Sequence, residues 1–103
     1  MSSFDKKFSK PYLSLMETAC NKGVPFNGVD IERMVSKIVK RPYLFEKEEL
    51  ESLVSRLSVM QDKYNRQINE LDPIYTVQLV NLQNCRTTLS IAVSAITDVI
   101  KYK

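Results

Sequence analysis

The chain has no histidine, only two cysteines, two glycines and four prolines among its 103 residues. Without histidine it lacks the commonest general base, the commonest metal ligand and the usual partner of a nucleophile. Two cysteines are too few for a structural zinc site. Cys20 and Cys85 fall on apolar faces of expected helices and read as buried thiols in a reducing compartment, with a disulfide between them as the alternative. Two glycines are too few for the many tight turns of an all-β fold. Gly23 and Gly28 flank Val-Pro-Phe without a following Gly-Lys-Ser/Thr, which excludes a phosphate-binding loop.

Charge is missing from one region. About a quarter of the chain is charged, yet residues 73–97 carry a single formal charge, Arg86. Isoleucine, valine, leucine, alanine, serine, threonine, asparagine and glutamine fill the rest. A helix without charge on any face is expected to be covered by its own domain, by copies of itself or by a partner. It does not read as membrane-spanning. Gln78, Asn81, Gln83, Asn84 and Arg86 interrupt it, and the strongly apolar part, residues 89–100, is shorter than the roughly 20 residues a bilayer requires. The first ten residues, MSSFDKKFSK, contain no apolar core, so no signal peptide is expected and the protein is placed in the cytoplasm.

The periodicities predict an all-α fold: two short N-terminal helices packed on a long antiparallel helical hairpin, a small coiled-coil-like bundle. Residues 1–8 read as a mobile basic arm preceding a single helical domain over 9–103. Ser9 is the expected cap of the first helix (9–22), with Tyr12, Met16, Ala19 and Cys20 as its apolar stripe and Gly23 as its left-handed terminator. Asp30 opens the second (30–40), carried by Ile31, Met34, Val35 and Ile38 and stopped at Arg41-Pro42. The third (46–70) starts with Glu46, Glu48, Glu49 and Glu51, which suit the positive end of a helix dipole. Leu50, Leu53, Leu57, Met60 and Tyr64 then alternate three and four apart, Gln67 breaks the seam and Leu71 resumes it. The fourth (73–101), with Asp72 as cap and Pro73 in its first position, repeats the alternation through Leu82, Cys85, Leu89, Ala92 and Ile96. The last two helices would each be about 35–42 Å long at 1.5 Å per residue, and matched lengths favour a hairpin over one helix kinked at Pro73.

Nothing in this pattern supplies a catalytic centre. The acidic cluster at 46–51 reads as a solvated helix start, and no Glu-x-x-His pair accompanies it. No cofactor and no metal site are expected, and the chain is not expected to be an enzyme. The expected function is a helical protein–protein interaction module, of adaptor, chaperone or inhibitor type, docking on another protein or on itself. Its candidate interface is the second face of the last helix: Val77, Val80, Asn84, Ile91 and Ile100. Lys37, Lys40 and Arg41, with Tyr43 and Phe45 beside them, form a possible anion-binding patch and a weaker reading as a nucleic-acid-binding protein. The twelve residues Thr88-Leu89-Ser90 and Ala92-Val93-Ser94-Ala95-Ile96-Thr97-Asp98-Val99-Ile100 resemble the C-terminal helices of type III secretion inner-rod and needle proteins and of the flagellar rod-junction protein. That resemblance implies the alternative function, a subunit of a helical self-assembly.

Overall fold

The computed structural model describes residues 4–103 as an all-α bundle. Its four helices are α1 (Tyr12–Asn21), α2 (Gly28–Lys40), α3 (Lys47–Glu70) and α4 (Thr76–Lys101), with short 3-10 turns at Asp5–Lys7 and Pro42–Leu44. α3 and α4 form the antiparallel hairpin: Arg86 Nη1 donates to Asn65 Oδ1 at 2.7 Å near one end, and Lys103 Nζ donates to the Pro42 carbonyl at 2.7 Å, just before α3. α1 runs parallel to α3, since Glu17 pairs with Arg56 and Asn21 with Lys63. α2 lies along α4, and α1 closes the ring against α2 and α3.

Both heptad seams meet in the core. Leu50, Leu53, Leu57, Met60 and Tyr64 from α3 and Leu82, Cys85, Leu89, Ala92 and Ile96 from α4 are all buried. Leu13, Met16 and Cys20 of α1 and Ile31, Met34 and Ile38 of α2 complete the same cluster. Each fully buried Leu or Ile contributes about 1.5–3 kcal/mol of hydrophobic stabilisation before entropy is counted.

Several boundaries differ from the sequence reading for local chemical reasons. Asp72-Pro73-Ile74-Tyr75 makes a β-turn, with Tyr75 N–H donating to the Asp72 carbonyl at 3.0 Å and Ile74 N–H to Asp72 Oδ1 at 3.0 Å. Aspartate at the first position and proline at the second favour that turn over a first helical residue at Pro73. α2 begins earlier than Asp30, because Asn27 Oδ1 accepts from Val29 N–H at 3.0 Å and caps it. α1 begins at Tyr12, and Ser9 does not cap it; its hydroxyl pairs with the Tyr12 hydroxyl at 3.2 Å.

The cap of α1 comes from the segment expected to be a mobile arm. Residues 1–3 lie outside the described residues, but residues 4–8 pack against the bundle. The Phe4 ring contacts Phe8 and Phe45 with centroids 5.1 and 5.8 Å apart. The buried Asp5 carboxylate accepts from the N–H groups of Leu13 (3.1 Å) and Ser14 (3.3 Å) and from the Ser14 hydroxyl. Pro11 occupies the cap position and has no side-chain oxygen, so Asp5 serves the helix start from seven residues upstream of it. Lys7 adds an ion pair to Glu49 at 2.6 Å.

Gln67 explains its own interruption of the α3 seam. Its side-chain amide donates to the Cys20 carbonyl at 3.1 Å, one of the carbonyls left without a helical partner at the end of α1. Gly23, at φ +73°, ends that helix in the left-handed conformation, with Gly23 N–H bonded to the Cys20 carbonyl and Val24 N–H to that of Ala19. The Tyr64 hydroxyl donates to the Val24 carbonyl at 2.8 Å, so α3 holds both the end of α1 and the loop that follows it.

Candidate protein-interaction face

α1 and α2 are much shorter than the hairpin and cover only part of it. α2 reaches α4 from about residue 88 onward, whereas the turn end of the hairpin projects beyond the short helices. There Ile74 is 78% exposed and Val77 77%, with Tyr75 and Val80 also open to solvent. Val24 and Pro25 of the α1–α2 loop line the same shallow depression as Ile74, Tyr75 and Val77.

Along α4 the outward side forms a second three-four alternation: Val77, Val80, Asn84, Thr87, Ile91 and Ser94 are all exposed. Of the five interface residues expected from sequence, four share this strip. Ile100 does not. At 100° per residue it is turned about 140° from Val77, and it is half-buried, packed against the core cluster. Ile100 therefore belongs to the core side of α4.

Between α2 and the strip runs an open groove of about 710 Å³. Val35 and Val39 of α2 and Ile91 and Ala92 of α4 supply its apolar lining, with Val29 near one end. Val29, Val39 and Ile91 are each roughly half exposed or more, an unusual outlay of apolar surface for a chain this small. The sequence reading missed Val29 and Val39 because they lie off the Ile31–Met34–Ile38 stripe. Their signal was a second apolar row on a short helix that needs only one.

The basic residues of α2 sit on the adjacent ridge. Arg33, Lys37, Lys40 and Arg41 surround a depression that shares Val29, Glu32 and Ser36 with the groove. The three residues of the expected anion patch are not equivalent. Lys40 and Arg41 are exposed, but Lys37 is half-buried, donates to the Lys7 carbonyl and lies 5.2 Å from the centre of the Phe8 ring. Lys37 thus helps to fasten the N-terminal segment.

The remaining titratable groups offer little chemistry. Cys20 and Cys85 are free and buried, and burial pushes both thiols above their ordinary pKa, which leaves little thiolate at neutral pH. Burial also raises the Tyr64 hydroxyl. The Arg56 guanidinium is held further toward its charged form by its hydrogen bonds to Glu17. Among the described residues no three His, Cys, Asp or Glu side chains converge to hold a metal ion, and no helix is long and apolar enough to cross a membrane.

Comparison of the chain with protein-family models, with curated proteins and with solved structures finds no match. The functional reading therefore rests on the surface itself.

Proposed function

We propose that the protein is a non-enzymatic interaction module that docks on another protein through the uncharged outer face of α4. One observation carries the reading. Val77, Val80 and Ile91 stand on a single solvent-facing strip at 77%, 45% and 65% exposure, with no Lys, Arg, Asp or Glu from Thr76 to Ser94 except Arg86, which turns aside to Asn65. A solvated helix face normally carries those charges, and their absence removes the desolvation cost of covering it. Assembly with further copies is the second reading, favoured by the three-four spacing of the strip, which suits knobs-into-holes packing.

Val80→Glu tests both. Affinity capture with wild-type and Val80→Glu baits, with light scattering across a hundredfold concentration range, should show one association that the variant loses while its circular dichroism is unchanged. A chain that stays monomeric and retains nothing the variant lacks refutes the proposal. Growth beyond a dimer selects the second reading.

A further inference from the structure

Going beyond that reading, we infer that the outer faces of α2 and α4 pair with the same faces of a second copy of this chain. The two copies run antiparallel, about a two-fold axis beside Ser36 and Ile91, which line the same α2–α4 groove. Charge on α2 is self-complementary about that axis. Glu32, Ser36 and Lys40 follow one another at four-residue spacing along one depression, and both charges are exposed. They lie about 12 Å apart at 1.5 Å per residue, too far to pair within the helix. Ser36 occupies the position four residues from each, where an ion-pair partner would stand. An antiparallel second copy supplies that partner twice: Glu32 meets the second copy's Lys40, and Lys40 its Glu32. A parallel copy would set Glu32 on Glu32 and Lys40 on Lys40, which like charges oppose.

α4 repeats the symmetry. Asn84 and Asp98 stand seven residues either side of Ile91, and both are exposed. The same axis brings the Asn84 amide, a donor, to the second copy's Asp98 carboxylate. Between these polar pairs Ile91 lies against Ile91, and Val39 beside Val35 of the other copy, so the apolar lining of the groove covers itself.

The other charges near this face are placed elsewhere. Asp30, Arg33 and Lys37 lie toward α1 at 100° per residue, with Lys37 held by the Lys7 carbonyl. Lys101 lies on the flank of α4 opposite Ala92, and Lys103 is held by the Pro42 carbonyl. Glu46 and Glu48 stand at the start of α3, which packs on α1 and α4 as α2 does and so lies across the core from α2.

A face about 20 Å long and two helices wide covers roughly 400 Å² of each copy, about half a standard interface side. The dimer is therefore reversible, with a Kd on the order of 10–100 µM. Val80 and Val77, about 17 and 21 Å from the axis along α4, lie beyond the second copy's Lys101 at about 15 Å. The turn end of the hairpin thus stays free for the docking proposed above.

Sedimentation velocity on the whole chain, from about 5 µM to about 1 mM, should show a monomer passing to a dimer and no further. Val39→Asp and Ile91→Asp should each keep the chain monomeric with unchanged circular dichroism. Glu32→Lys and Lys40→Glu should each weaken the dimer roughly tenfold. An equimolar mixture of those two variants should restore it, as should both substitutions in one chain. Ser36→Cys should link to itself under mild oxidation and Ser55→Cys, on α3, should not, the native thiols being buried. The inference is overturned by a chain that stays monomeric, by growth beyond a dimer, or by a dimer indifferent to Val39→Asp. It is equally overturned if the charge variants gain nothing on mixing, or if Ser36→Cys links no faster than Ser55→Cys. A monomer from which Val39→Asp removes a captured protein gives the groove to a different partner, and sinks it too. Val80→Glu should leave the dimer intact, so loss of capture and loss of the dimer report separately on the docking reading and on this one.

Discussion

Ile91 and Ile96 lie on the same helix five residues apart, and replacing each by aspartate should give very different outcomes. Ile96 is fully buried and Ile91 is 65% exposed. Full burial of an isoleucine is worth about 1.5–3 kcal/mol, so the third of Ile91 that is covered accounts for roughly 0.5–1 kcal/mol. Aspartate also has a lower helix propensity, by a few tenths of a kcal/mol. Ile91→Asp should therefore cost about 1 kcal/mol and leave the fold intact. At Ile96 the whole burial term is lost, and a carboxylate must lie within the buried apolar cluster or take up a proton. The combined cost should exceed about 5 kcal/mol, comparable to the total stability of a domain this size. Urea titration followed at 222 nm measures both. If Ile91→Asp lowers stability by more than about 3 kcal/mol, the strip is core and the docking proposal fails with it. A well-folded Ile96→Asp would mean that the register of α4 is wrong throughout.

Three further outcomes follow from local chemistry. Asp5→Ala leaves the start of α1 without its acceptor and should cost about 1–2 kcal/mol in urea titration, whereas a free arm would make it neutral. Gly23→Ala should cost about 1 kcal/mol because φ is +73° there, while Gly28→Ala, with open space around its Cβ position, should stabilise by about 0.4–1 kcal/mol; thermal melts of the two variants should shift in opposite directions. The thiols of Cys20 and Cys85 and the Tyr64 hydroxyl are all raised above their ordinary values of 9.0 and 10.0, chiefly by burial. Above those values the unfolded chain holds fewer protons than the native one, so stability should be level through neutral pH and fall as pH rises beyond about 9; urea midpoints unchanged from pH 7 to 10.5 would refute this.

The hairpin was legible because a three-four apolar alternation sustained over four to five turns has no other good solution, and every one of its ten seam residues is buried. What escaped the sequence was chemistry acting across distance. Asp5 reads as one more polar residue in a basic arm until the fold brings it to a proline-capped helix. Gln67 reads as a defect in the seam until the end of α1 arrives beside it. Ile100 joined the wrong face because an apolar count does not register the angle accumulated over twenty-three residues. The strip itself was legible in part, since missing charge is visible in a sequence. The groove was not, because it needs Val39 and Ile91 from helices whose adjacency no local pattern encodes.

The inequality of helix lengths has a consequence for the order in which the molecule comes apart. Near the base every helix has two neighbours, whereas the turn end of the hairpin extends past α1 and α2 and has only the α1–α2 loop beside it. Its backbone bonds should open at a free energy well below that of global unfolding, and its amides from about Ile74 to Asn81 should exchange with solvent first. The outer end of the exposed α4 strip is thus a separable unit, able to change shape while the bundle beneath it keeps its own.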